Sequence, residues 1–483
     1  MRKLLVIAGV PIDDLTMDEA LNRIEAFIAS GRPHQIATVN VDFVVKAWDD
    51  PELRYILQVA DMLTPDGMPL VWAARLLGVS LQGRVTGADL VPALAERGAW
   101  KGWRFYFLGA RPGVAARAAQ ILSERYPGLQ VVGVHSPPLS PIVEMEPAIV
   151  ERIRAARPDI LLVAFGNPKQ EKWIHMHLAE LGVPVAIGVG GTFDFIAGET
   201  RRAPLWMQRA GLEWLFRLLQ EPRRLWQRYA VDAIQFTRFF AKQWWRERRG
   251  RRLPPVMPRV AEMEWDGRVI LSLSGPLTIA TRDSFLVRAE QALTRSPHLI
   301  LDLKEVTFID SAGMGSLVSL TKRARAAGGD LRLCGASPQV RRTLALVRLD
   351  RFLSLDETLE DSLAAFTAPQ PGPPPPRQVG RWTVLTMPGR LDVESAAAVR
   401  AEGERALANH PYLVADFSPT GFLDSSGIAV LIALHRQAHQ QGGELRLAGL
   451  SREIRRTLEL SGVSSLLPIY ADVETATREM RRK

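Results

Sequence analysis

The chain has a single cysteine, Cys334, among 483 residues. One thiol allows neither an intrachain disulfide framework nor a cysteine zinc site, and it suits a reducing cytosol. No stretch of about 18 apolar residues runs free of charge, so no membrane-spanning helix is predicted. The N-terminus, MRKLLVIAGVPIDDLT, has a basic start and a short apolar run. Asp13 and Asp14 end that run early and no small-residue cleavage site follows, which predicts a first strand rather than a signal peptide. With 47% hydrophobic and 23% charged residues, the composition argues against wholesale disorder. The composition thereby argues against a secreted, disulfide-rich or polytopic membrane protein, and the length suits about three domains.

What the chain does have is concentrated basicity. Residues 201–252 hold 14 Arg plus Lys against 4 acids (Glu213, Glu221, Asp232 and Glu247), a surplus of +10, while the whole chain carries only +9. The charge therefore describes one local surface. The same stretch carries Trp206, Trp214, Trp226, Trp244 and Trp245, with Phe236, Phe239 and Phe240. Aromatic and cationic side chains together suit the lipid headgroup interface. No nucleic-acid recognition motif accompanies them, so no nucleic-acid partner is expected.

Two composition breaks divide the chain. RERRGRRLPP at 246–255 is a basic run ending in two prolines, and TAPQPGPPPPR at 367–377 favours an extended polyproline linker. The blocks after each break repeat one another at an offset of 114. Leu299 aligns with Leu413, Gly275 with Gly389, Asp310 with Asp424, Gly313 with Gly427, and Arg341-Arg342-Thr343-Leu344 with Arg455-Arg456-Thr457-Leu458. Each repeat then reads as one small α/β domain. The expected division is a core over 1–203, a basic aromatic helical appendage over 204–252, repeats over 256–366 and 378–483, and a Pro-rich linker over 367–377.

The first block alternates apolar strand-like runs with helical patterns, which predicts a Rossmann-like, doubly wound parallel sheet. Three predicted strand ends carry polar residues where such a sheet places ligands: Thr38-Val39-Asn40, Pro65-Asp66-Gly67, and Gly166-Asn167-Pro168-Lys169-Gln170-Glu171. Gly109 and Gly113 mark a strand-to-helix turn, and with Gly166 they are candidates for nucleotide binding. No Asp-x-Asp offers a metal-bridged diphosphate, and His175 and His177, two apart on a predicted helix, point to different faces.

These strings occur in a fixed order: T-V-N, P-D-G-M-P-L-V, F-x-F-L-G, G-x-P-K-Q-E-x-W, G-x-G-G-x-F-D-F-x-A-G, R-A-P, and G-L-E-W-L-x-R-L-x-x-E-P-x-R. Over about 1–245 the chain resembles the WecG/TagA/CpsF bacterial glycosyltransferase family. The resemblance implies inverting, metal-independent transfer with no cofactor. The sugar is N-acetylmannosamine or its uronic acid, the donor a UDP-sugar, and the acceptor an undecaprenyl-diphosphate-linked sugar of surface polysaccharide. It implies Asp66 as base, Thr38, Asn40 and Gln170 as substrate contacts, and Arg217 and Arg224, with Arg228 a weaker candidate, as cations at the diphosphate. It also implies a cytoplasmic enzyme, peripheral on the inner face of the membrane, that can self-associate.

In the repeats, Asp310-Ser311-Ala312-Gly313 and Asp424-Ser425-Ser426-Gly427 sit at strand-to-helix junctions. Together with the Gly-Gly turn and the L-R-L-x-G strand they resemble the STAS domain of anti-sigma-factor antagonists. That resemblance implies protein-partner binding, with Ser311 and Ser425 as candidate phosphorylation sites. The same residues can also simply cap their helices. A second reading of the whole chain is a UDP-sugar sensor acting through its STAS domains on an anti-sigma factor or membrane partner.

Overall fold

A computed structural model describes residues 2–138, 148–250, 259–265, 268–367 and 375–478. The chain opens on an antiparallel hairpin of β1 (Leu4–Ile7) and β2 (Val10–Asp13). The two-residue turn, Ala8 and Gly9, takes positive φ values of 46° and 88°, the geometry that suits strand twist in a tight hairpin. The expected first strand is thus half of a hairpin that stays outside the main sheet. Asp13 closes it, buried and paired with Arg2 at 2.8 Å and Arg23 at 2.6 Å, which hold its carboxyl below the usual carboxylate range despite burial.

The first block then runs α1 (Met17–Ser30), β3 (His34–Val39), α2 (Val41–Asp49), α3 (Pro51–Val59), β4 (Met62–Pro65), α4 (Met68–Leu76), α5 (Gly87–Lys101), β5 (Arg104–Gly109), α6 (Val114–Arg125), β6 (Gln130–His135), α7 (Ala148–Ala156), β7 (Ile160–Ala164), α8 (Lys169–Leu181), β8 (Val185–Gly188) and α9 (Thr192–Ile196). Six of these strands form one parallel sheet in the order β4-β3-β8-β7-β5-β6. β3, β4, β7 and β8 are buried along their whole length, as strands covered on both faces must be. Alternate side chains serve opposite layers. Ile36, Ile160 and Leu162 join α1, α5 and α6, Ala37 joins α2 to α4, and Leu161 and Val163 join α7 and α8. The sequence's helical pattern near 144–156 is seen as α7 from Ala148 on, and residues 144–147 lie outside the described residues.

Past Pro204 come α10 (Leu205–Arg209), α11 (Glu213–Gln220) and the 29-residue α12 (Pro222–Gly250). α12 lies against α2, with Phe239 stacked on Trp48 at 4.1 Å. Gln243 fastens it to the hairpin, accepting from the Ala8 N–H and donating to the Val6 carbonyl, both at 2.8 Å.

The first repeat contains β9 (Arg259–Trp265), β10 (Arg268–Leu277), α13 (Arg282–Arg295), β11 (His298–Ile309), α14 (Ser311–Ala326), β12 (Asp330–Cys334), α15 (Pro338–Leu346), β13 (Ser354–Leu355) and α16 (Leu359–Thr367). The second contains β14 (Arg377–Val379), β15 (Trp382–Thr386), β16 (Arg390–Leu391), α17 (Val393–Asn409), β17 (Tyr412–Asp416), β18 (Phe422–Leu423), α18 (Ser425–Gln440), β19 (Glu444–Ala448), α19 (Arg452–Leu460), β20 (Ile469–Tyr470) and α20 (Val473–Thr477). Their sheets run β13-β12-β11-β10-β9 and β14-β15-β17-β19-β20, each with one antiparallel outer strand beside parallel neighbours. Asp310 caps α14 by accepting from the Ala312 and Gly313 N–H groups, and Asp424 caps α18 by accepting from Gly427. Residues 251–255 of the basic–proline run and 368–374 of the Pro-rich linker lie outside the described residues.

Candidate active site

The carboxyl ends of β3, β4, β7 and β8 lie along one edge of the parallel sheet, the edge at which an open α/β sheet places its ligand crevice. Thr38, at the end of β3, is 5% exposed and donates to the Gly188 carbonyl at 3.4 Å. Asn40 caps α2, its Oδ1 accepting from the Phe43 N–H at 3.3 Å. Asp66 follows β4, its own N–H donating to the Val39 carbonyl at 2.7 Å. The Asp66 carboxylate accepts from the Gly87 N–H at the start of α5. Gly87 has room for no side chain, because a Cβ would lie 2.7 Å from Thr192 Oγ1 and 3.6 Å from Thr38 Oγ1. The ends of β3 and β4 and the starts of α5 and α9 therefore converge.

Burial pushes the Asp66 carboxyl up to about 6. The Gly87 N–H opposes that rise, Glu213 adds to it, and Arg84 and Arg217 oppose it. A carboxyl poised there can accept a proton near neutral pH. Around it the cations are held by carboxylates. Arg84 pairs with Glu213 at 2.9 Å. Arg202 makes a two-pronged pair with Asp89 at 2.6 and 2.8 Å and reaches Glu213 at 3.4 Å. Arg217 of α11 lies over the Phe195 ring at 5.2 Å. Burial first, then the nearby Asp42, pushes Asp232 of α12 up to about 6, while Arg228 and Lys46 oppose that rise. The side chain of Arg224, on the same helix, is outside the described residues.

Gln170, in the first turn of α8, is held by the loops around it. It is 2% exposed. Its Oε1 accepts from the Gly166 N–H at 3.1 Å and the Gly190 N–H at 3.0 Å, and its Nε2 donates to Glu171 Oε1 at 2.7 Å. It ties the loop after β7 to the loop after β8. Burial pushes its neighbour Glu171 up to about 8, so that carboxyl is largely protonated at neutral pH. Gly188 makes space for the pair, since a Cβ there would meet Glu171 Oε1 at 2.4 Å. Gln170→Ala strands two backbone donors and is expected to cost about 2–4 kcal/mol. Denaturant unfolding checks this, and an unchanged midpoint would contradict the role.

Gly109 has φ 100°, and a Cβ there would strike the Ala164 carbonyl oxygen at 2.7 Å, so close strand packing accounts for it. Gly113, with φ 83° at the start of α6, and Gly166, with φ 80°, have open space instead. Ser311 and Ser425 are 0% and 2% exposed. Ser311 donates to Glu247 of α12 at 3.0 Å. Arg84, Asp89, Arg202 and Glu213 were not singled out from the sequence. Arg202 and Glu213 stand within the R-A-P and G-L-E-W-L strings, but their pairing with Asp89 and Arg84 joins positions 113 and 129 residues apart, which no local pattern announces.

Among the described residues, no group of three His, Cys, Asp or Glu side chains is arranged to hold a metal ion. No helix of the described residues is long and apolar enough to cross a membrane. Leu205, Trp206, Leu219, Trp226 and Ile234 of α10 to α12 are exposed among the arginines.

Comparison with known proteins gives matches to both parts of the chain. The family model described as Glycosyl transferase WecG/TagA/CpsF family matches residues 5–250. The STAS domain model matches 260–362 and 374–476. An N-acetylglucosaminyldiphosphoundecaprenol N-acetyl-beta-D-mannosaminyltransferase from Bacillus spizizenii is 34% identical over 213 residues, covering 43% of this chain and 81% of the relative. Its namesake from Bacillus subtilis is 34% identical over 206 residues, covering 41% and 78%. Among solved structures, an anti-sigma factor antagonist from Mycobacterium paratuberculosis aligns at 26% identity over 23% of this chain and 96% of that one, with a TM-score of 0.22.

Proposed function

Since the chain belongs to the WecG/TagA/CpsF glycosyltransferase family and carries two STAS domains, we propose that it moves N-acetylmannosamine from UDP to an N-acetylglucosaminyl-diphosphate polyprenyl lipid. The reading rests on one observation above others: the Asp66 carboxyl stands at the end of β4, near the start of α5 and beside Arg84 and Arg217, where burial pushes it up to about 6.

In the proposed reaction, Asp66 accepts the proton of an acceptor hydroxyl as that oxygen attacks the anomeric carbon. The new glycosidic bond forms as the bond from that carbon to the UDP oxygen breaks, with inversion. Arg217 and Arg84, together with Arg224 and Arg228 from α12, meet the charge that grows on the diphosphate. Thr38 and Asn40 position the sugar, while Gln170 positions the loops that bear Gly166 and Gly190. The exposed aromatic and basic surface of α10 to α12 rests on the lipid headgroups that present the acceptor, on the cytoplasmic face.

A panel of UDP-sugars, offered to the full chain with a short-chain polyprenyl-diphosphate GlcNAc, tests the donor. UDP release is expected to be fastest with UDP-N-acetylmannosamine. A preference for a different hexosamine would overturn the donor assignment.

A further inference from the structure

The two STAS domains meet the transferase block in chemically different ways. Leu4 and Val6 of β1 lie in the core of the first STAS domain, while Leu5 and Ile7 lie in the core of the transferase. One strand thus serves two cores. Backbone meets backbone there: a Cβ on Gly315 of α14 would lie 2.2 Å from the Leu4 carbonyl oxygen, and one on Gly9 would lie 2.4 Å from that of Val347. The first STAS domain is part of the transferase's framework.

The second STAS domain is held by polar groups at the start of α18. Asp424 shares a hydrogen bond with His175 Nε2 of α8 at 2.9 Å, and Ser426 donates to the His175 carbonyl at 3.4 Å. The buried Ser425 hydroxyl sits beside Glu52 of α3. Lys172 of α8 is already shared between Glu52 at 2.7 Å and Asp50 at 2.8 Å. At the rim, Arg400 pairs with Glu180 at 3.1 Å, and Arg390 lies over Tyr55 at 5.2 Å and Phe422 at 4.3 Å. Met176 reaches the core of the STAS domain.

We infer that the second STAS domain is a regulatory module whose partner is helix α8 of its own chain, with Asp424 and Ser426 as the latch and Ser425 as the position from which it is opened. α8 is the helix whose first turn, Gln170-Glu171, ties the two crevice loops. Docking at His175 and Met176 orders that helix one turn further along. A negative charge at Ser425 would meet Asp424, Glu52 and Asp50, with Lys172 already engaged, and would release the domain.

Hydrogen exchange on the full chain tests this without any donor sugar, so it stands apart from the transferase reading. Ser425→Glu is expected to speed exchange in α8 by at least about tenfold, while β17 and β19 stay protected and Ser425→Ala matches the parent. His175→Ala, which alters no residue of the STAS domain, is expected to loosen α8 in the same way. Unchanged α8 exchange in both Ser425→Glu and His175→Ala overturns the inference. If Ser425→Glu also loses protection in β17 and β19, the decision passes to His175→Ala alone.

Discussion

Replacing Asp66 with Asn is expected to lower kcat by about 100- to 10,000-fold, the usual weight of a positioned general base, with a smaller change in donor KM. The amide oxygen of Asn can still accept from the Gly87 N–H. Stability should be kept, and the sign is clear. Burial lifts the folded-state pKa of Asp66 to about 6, above the ordinary carboxyl value of about 4. Ionised Asp66 therefore costs the folded state stability above that pH, and a neutral Asn removes the cost. For the parent, kcat/KM should fall about tenfold per unit as pH drops below about 6, because the base must be ionised to work. In the Asn variant that acid limb should vanish. An Asn variant within threefold of the parent would remove Asp66 from the mechanism.

Gly315→Ala is expected to destabilise the protein although alanine is the better helix former by about 1 kcal/mol. The added methyl would sit 2.2 Å from the Leu4 carbonyl oxygen. Overpacking usually costs about 1–3 kcal/mol, and here the obstacle is backbone that belongs to two cores. A net loss approaching about 2 kcal/mol should appear as a drop of about 8 °C or more in the transition that melts the first STAS domain. The aligned residue of the other repeat is Ala429 in α18, which already carries a methyl. Ala429→Gly should cost only helix propensity, about 1 kcal/mol. A rise in Tm for Gly315→Ala would mean that α14 does not press on β1.

Much of the fold was legible because its signals are local. β3, β7 and β8 are apolar runs with turn residues at their ends, and the offset of 114 exposed the repeats. Thr38, Asn40 and Asp66 stand at strand ends, where a parallel sheet leaves side chains facing the crevice. The hairpin was not legible, because Ala8-Gly9 is a weak turn signal compared with Asn-Gly. Nor was the work of Gln170, whose partners are backbone amides contributed by two separate loops. His175 and His177 do point to different faces, as their spacing predicts. One meets Asp424, 249 residues away, and the other Glu180, three residues away. Spacing reveals that faces differ but not what each face touches. Likewise Gly315 opposite Ala429 is visible in the alignment, yet its meaning depends on Leu4.

Transfer to a lipid-linked acceptor and sensing of a donor differ in whether the acceptor is needed for UDP release. The most direct measurement is UDP release by the full chain from UDP-N-acetylmannosamine in chelator-treated buffer, with and without the polyprenyl-diphosphate GlcNAc acceptor. Release is expected to need the acceptor, to persist without added metal ion and to collapse in Asp66→Asn. Tight UDP binding with no acceptor-dependent release would contradict transfer to the lipid-linked acceptor.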